Sequence, residues 1–237
     1  MDYREYPPPP ALAGLVKCFW TLAADGAPGG WIEHRATPDG CVEIIRRLAG
    51  RSRWDGEQPE CFAVGLIAEA TPFEISTDSR FVAVRLWPWA WPRLDPTPPD
   101  AIRGRWIALA DPALAPRDLE QGESDLTARL AAADGLNATG RALLGSATVE
   151  EMGKATGMAP RTLQRWFARH VGMPPRHYLR LLRFQKAFEQ VPGERSLADH
   201  AAAQGFADQA HMAREFREMA GMPAKQARRT ARGPFLT

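Results

Sequence analysis

The chain is predicted to be α+β in two parts. An antiparallel β-sandwich or small barrel comes first, and an all-helical domain with two helix-turn-helix units follows. Three observations carry this. Residues 14–110 read as short strands punctuated by Gly, Pro, Asp and Ser. From about Ala110 the pattern turns helical. A helix-glycine-helix pattern then occurs twice, at Thr148–Tyr178 and Ser196–Ala227. A length of 237 residues leaves room for two cores.

The candidate strands are Leu15–Leu22, Trp31–Ala36, Cys41–Leu48, Cys61–Ile67, Phe73–Ser76, Phe81–Trp87 and Arg105–Leu109. Their length and spacing suit an antiparallel sandwich or barrel. Pro38-Asp39-Gly40 is a strong turn signal between two of them. Pro88, Pro92, Pro96, Pro98 and Pro99 make residues 88–99 an expected irregular segment. Asp118–Ala133 has helix-forming composition, with Gly135 as its expected stop. A boundary near 134–147 divides the chain into 1–134 and 135–237.

Within the repeat, Thr148-Val-Glu-Glu151 forms a capping box, and Ser196-Leu-Ala-Asp199 a weaker one. Gly157 and Gly205 follow, each placed where a helix needs a left-handed residue at its end. Leu163 and Phe167 match Met212 and Phe216 at i and i+4 on one face. Each unit closes on the same tripeptide, Gly172-Met173-Pro174 and Gly221-Met222-Pro223. This is the sequence form of a helix-turn-helix. Phe206 is expected to plug the angle between two helices, with Ala201 small enough to let them approach. Two ordinary αα-hairpins would share the glycines and the apolar spacing, but not the charge.

That charge is uneven. Residues 148–237 hold 15 Lys and Arg against 8 Asp and Glu, whereas residues 1–147 hold 15 against 20. A basic end beside an acidic remainder points to a polyanionic partner for that end alone. MDYREYPPPP has neither the basic nor the apolar region of a signal peptide, and no apolar run approaches a membrane span. Cys18, Cys41 and Cys61 are odd in number and lack CxxC spacing, as expected of reduced thiols in a cytoplasmic protein.

Gly205-Phe206-x-Asp208-x-x-His211-x-x-Arg214-x-Phe216, Gly221-Met222-Pro223 and Arg161-Thr162-Leu163-Gln164-Arg165-Trp166-Phe167 together resemble the DNA-binding domain of AraC/XylS-family bacterial transcription regulators. The resemblance covers roughly 146–229. It implies two helix-turn-helix units joined by a long helix, each placing a recognition helix on double-stranded DNA. The N-terminal part more loosely resembles the cupin-like sensor domains attached to such regulators. A small-molecule effector, contact with RNA polymerase and a homodimer are the further partners this implies, with no cofactor and no membrane. Ala159 departs from the family, where many relatives have a capping Ser, and should weaken that helix start by about 1 kcal/mol. Gly153 in mid-helix costs roughly another 1 kcal/mol.

The first recognition helix is expected from about Pro160 to His170. Leu163, Trp166, Phe167 and Val171 form its buried stripe, with Arg161, Thr162, Gln164, Arg165 and Arg169 for DNA. Arg can bond guanine and Gln adenine through paired hydrogen bonds, so this set can read bases as well as hold phosphate. The second runs from Asp208 as N-cap to near Met219, with Gln209, His211, Arg214 and Arg217 for DNA. His211 is equally readable as a packed or capping side chain. The helix between them starts at Pro174-Pro175 and ends at Pro192-Gly193, giving a spacer of about 22 Å. The recognition helices would then sit about 34 Å apart, one duplex turn. Arg176, Arg180, Arg183 and Lys186 on that spacer either meet phosphate or are solvated.

Seven of the eight tryptophans precede the basic region. They either fill core and rim or line an apolar effector pocket, for which Trp20, Trp31, Glu43, Arg85, Trp87 and Trp89 are the candidates. Enzyme activity is not expected, and no catalytic residues are assigned. His34 is the one histidine in this half, too few for a metal site of several His and carboxylate ligands. Control through protein contact or oligomerisation, with no small ligand, is the alternative to sensing.

Overall fold

The computed structural model describes residues 1–190, 196–232 and 235–236. Strands β1 (Asp2–Tyr6), β2 (Val16–Ala23), β3 (Trp31–Ala36), β4 (Val42–Ala49), β5 (Ser52–Arg53), β6 (Cys61–Val64), β7 (Thr71–Ser76), β8 (Arg80–Leu86) and β9 (Trp106–Ala108) make the N-terminal part. Two-residue strands β10 (Ala231–Arg232) and β11 (Phe235–Leu236) end the chain. One sheet has the order β1-β2-β8-β4-β6-β9, the other β10-β11-β3-β7-β5. Every pairing is antiparallel.

The sequence-based strands lie within a few residues of β2, β3, β4, β6, β7, β8 and β9. Strand β1 was not expected, because the DYREY segment has little apolar alternation to mark it; it forms by pairing along β2. The larger sheet is a middle layer, and side chains alternate across it as the pleat requires. Cys18, Trp20, Leu22, Ile45, Phe62 and Phe81 point toward the second sheet. Phe19, Ile44, Ala63, Val84 and Leu86 point toward the helices.

Residues 88–99 are not wholly irregular. Pro88–Arg93 form a 3-10 helix, with Pro88 at its start and Trp89 and Trp91 fully buried. Proline is tolerated in a first turn, where its missing N–H has no partner to lose.

Eight helices follow among the described residues: α1 (Leu119–Leu130), α2 (Asp134–Leu144), α3 (Val149–Thr156), α4 (Pro160–His170), α5 (Pro175–Gln190), α6 (Leu197–Ala203), α7 (Gln209–Ala220) and α8 (Ala224–Thr230). Asp118 caps α1 by accepting from the Gln121 N–H. Gly135 does not stop a helix; it lies within α2. The reason is tertiary. Asn137 binds the 10–15 segment through Ala11 and Gly14, and Gly140 lets the helix approach Gly14 and Trp89 where a Cβ would collide.

The expected end of α5 at Pro192-Gly193 lies outside the described residues. No described helix is long and apolar enough to cross a membrane.

Candidate nucleic-acid interface and inter-sheet cavity

Each helix-turn-helix unit is built as its sequence directs. Thr148 caps α3 by accepting from the Glu151 N–H, while Glu151 reaches the Ala147 N–H rather than that of Thr148. Ser196 caps α6 by accepting from the Asp199 N–H, and its own hydroxyl donates to Asp199 Oδ2 at 2.6 Å. Gly157 and Gly205 have φ of +68° and +73°, the left-handed turn each unit needs.

Asp208 caps α7, accepting from the His211 N–H. Ala159 offers α4 no side-chain cap. Leu163, Phe167 and Val171 are buried behind α4, with Trp166 half-buried. Met212, Phe216 and Met219 are buried behind α7. Phe206 sits in one cluster with Phe184, Phe188, Ala201 and Phe216, the plug its position implied.

On the outer faces Arg161, Thr162, Gln164, Arg165 and Arg169 are exposed on α4, and Gln209, Arg214 and Arg217 on α7. His211 differs from them. It is half-buried, its ring edge-on to Phe206, its Nδ1 accepting from the Ala207 N–H at 3.4 Å and its Nε2 3.3 Å from Glu215.

Two spacer arginines are only partly solvated and are engaged by carboxylates rather than free for phosphate. Arg180 Nε donates to Glu215 Oε1 at 2.9 Å and its other nitrogens grip Glu218. Arg183 donates to the same Glu215 oxygen at 2.7 Å. Glu215 is buried, so this clasp fixes α7 to α5. Arg176 and Lys186 are exposed.

Residues 152–230 match the family described as a helix-turn-helix domain. The C-terminal region is an AraC-type helix-turn-helix domain. Residues 4–108 match a domain of unknown function, DUF6597. Helices α1 and α2 lie between the two matches.

Among solved structures, ToxT from Vibrio cholerae is 8% identical over 88% of this chain and 97% of that one, with a TM-score of 0.46. A second ToxT structure, from strain SCE256 and bound to an unsaturated fatty acid, gives 8%, 95%, 94% and 0.47. A probable AraC family transcriptional regulator from Rhodopseudomonas palustris CGA009 is 22% identical over 42% of this chain and 98% of that one, at 0.36. Scores below 0.5 make these likenesses only. Curated proteins give no sequence match.

The AraC-type domain is packed against the sheets. Trp89 donates its indole N–H to the Gly14 carbonyl, and its ring centre lies 6.0 Å from those of both Trp166 and Tyr178. Trp87 stacks on Trp89. The expected turn at Pro38-Asp39-Gly40 meets α5. Gly40, at φ +73°, touches Leu181 and Leu182 so closely that a Cβ would lie 3.1 Å from each, and its carbonyl accepts from the Tyr178 hydroxyl. On the second unit, the Ala70 N–H donates to the Met219 carbonyl at 2.6 Å.

Between the two sheets lies a cavity of about 70 Å³. A water needs roughly 10–15 Å³ on this measure, so the interior is not solidly filled. Trp20 and Glu43 line it, as do Trp54, Phe62, Phe73 and Phe81. Trp31, Trp87 and Trp89 lie elsewhere. Trp31 opens β3 of the second sheet with Arg51 and Arg53 against its ring, and the other two belong to the junction with α4 and α5.

Arg85 stands behind Glu43. It donates to Glu43 Oε1 at 2.7 Å and to Glu5 at 2.9 Å, and Asp39 Oδ2 lies 2.7 Å from its Nε. Burial raises the Glu43 carboxyl above the usual range, and Arg85 offsets this only in part. Burial opposes the Arg85 charge, but Glu43 and Asp39 outweigh it and hold the guanidinium protonated.

The sequence alone missed Trp54, Ser52 and the Glu215 clasp. Pro38-Asp39-Gly40 was legible as a turn, but not as part of the junction with α5.

Proposed function

We propose that the chain reads two successive major-groove stretches of an operator, and that a small molecule in the inter-sheet cavity sets its DNA affinity. One observation carries the DNA reading. Two capped, glycine-turned units present exposed Arg and Gln on α4 and α7 while their opposite faces are buried. Arg161, Gln164 and Arg165 are assigned to base edges on one side, and Gln209 and Arg214 on the other. Thr162, Arg169 and Arg217 are assigned to phosphate. With no side-chain cap at Ala159, the first-turn N–H groups of α4 are open to a phosphate oxygen. His211, tied to Glu215 and Phe206, is assigned to positioning α7.

Coupling is assigned to the Asp39–Gly40 turn. Glu43 lines the cavity, Arg85 joins it to Asp39, and the neighbouring Gly40 carbonyl is held by Tyr178 on the helix that spaces the two units. A ligand can shift DNA affinity only by its differential affinity for two arrangements of that turn, typically about 1–3 kcal/mol.

The test is selection of bound duplexes from a random pool by the full chain. A shared motif and a steep fall of affinity with salt are expected, because Lys and Arg contacts release counterions. Failure to enrich any motif at low salt would remove the reading. An operator affinity that responds to self-association but to no small molecule would move control to protein contact.

A further inference from the structure

The charge balance of the inter-sheet cavity selects its ligand. Its walls are almost wholly apolar, with the rings of Trp20, Trp54, Phe62, Phe73 and Phe81 among them. Among the described residues Glu43 is its one charged lining residue, and no Lys or Arg lines it. Glu43 does not have a cation to itself. Glu5, Asp39 and Glu43 share the single guanidinium of Arg85. Lys17, the other nearby cation, is paired with Glu189 of α5 at 3.2 Å.

At the cavity wall the Ser52 hydroxyl is 1% exposed as a residue and makes no hydrogen bond. The Trp20 indole N–H is also buried without a well-formed bond, although it lies near enough to Glu43 to favour that residue's charge. A buried hydroxyl without a partner, a poorly bonded indole N–H and a carboxylate among aromatic side chains favour a guest that brings matching polar groups.

Aromatic faces attract a cation through their ring quadrupoles, most strongly where water is excluded. A carboxylate ligand would instead face Glu43, which shares one arginine with Asp39 and the exposed Glu5. We propose that the cavity binds a small lipophilic organic cation, an ammonium group on an aromatic or alkyl body, with Glu43 as counter-charge and the surrounding rings as its walls. This rests on the reading of the N-terminal domain as a sensor, and it names the class of molecule sensed.

The experiment uses the full chain and three compact probes of similar shape, measured by calorimetry: tetramethylammonium, the neutral tert-butanol, and pivalate. The cation should bind about tenfold tighter than the neutral probe, and the carboxylate should bind weakest. Glu43→Gln should reduce that preference about tenfold while leaving the neutral probe nearly unchanged. Because the ranking is measured on the unaltered chain, it decides even if E43Q does not fold.

Tighter binding of the neutral or anionic probe would overturn the charge assignment and leave sensing intact. Binding of none would overturn the proposal. Binding of the cation without any change in affinity for a selected duplex would uphold it and refute the sensing role.

Discussion

The Tyr178 hydroxyl donates to the Gly40 carbonyl at 3.0 Å, joining the helix between the two helix-turn-helix units to the β3–β4 turn. Both groups are buried, so neither can turn to water instead. Tyr178→Phe keeps the ring packed on Trp89 and Phe167 and leaves the carbonyl without its donor. The expected cost is about 1–2 kcal/mol, read from the urea midpoint at unchanged slope. The coupling between cavity occupancy and DNA affinity should shrink as well. Full coupling in a Tyr178→Phe chain that has lost stability would place the relay elsewhere.

Glu215 is the anchor of the α5–α7 clasp. Glu215→Gln removes the charge that Arg180, Arg183 and His211 share, and about 1–3 kcal/mol of stability should go with it. That is less than for a fully buried ion pair, because both arginines reach solvent. Hydrogen exchange should localise the loss to α6 and α7. Uniform loosening across the sheets would contradict the assignment.

Helix α4 begins without a capping side chain at Ala159. Ala159→Ser should therefore stabilise the chain by about 1 kcal/mol, visible as a raised melting temperature. If the first-turn N–H groups hold a phosphate, the new hydroxyl competes for them. DNA affinity should then fall while stability rises. A parallel rise in both would remove the phosphate role of that helix start.

The hydrogen bond from Arg180 holds the Glu218 carboxyl below its ordinary range. A depressed carboxyl contributes stability above its unfolded pKa and loses it as pH falls through the folded value. The clasp should thus weaken only under acid conditions, below about pH 4.5. Glu218 is largely exposed, so the effect stays well under about 1 kcal/mol. Carboxyl NMR titration should show a depressed midpoint that Arg180→Gln returns to the usual range. An unchanged midpoint in that variant would assign the shift to another group.

The local features of this fold were legible because they are written locally. Thr148, Gly157, Gly205 and Asp208 each act on neighbours within a few residues, and Phe206 was identifiable by its place in a repeated pattern. Apart from β1, the strands of the larger sheet announced themselves through apolar runs with clear ends. What stayed hidden depends on distant partners. Gly135 reads as a helix stop until Asn137 and Gly140 meet the 10–15 segment. Trp87 and Trp89 read as pocket residues as readily as Trp20, and only the packing of α4 and α5 sends them to the junction. Tyr178 and Gly40 are 138 residues apart, so no local pattern links them.

The central claim is that α4 and α7 enter successive turns of the same groove face. Footprinting of the full chain on a selected duplex, with Arg165→Ala and Arg214→Ala beside it, tests this most directly. Each substitution should cost about 1–3 kcal/mol and relax the sequence requirement at its own base pairs. The two affected positions should lie about one helical turn, roughly 34 Å, apart. Relaxation of the same base pair by both variants, or a uniform weakening with no relaxed position, would contradict two-site reading by α4 and α7.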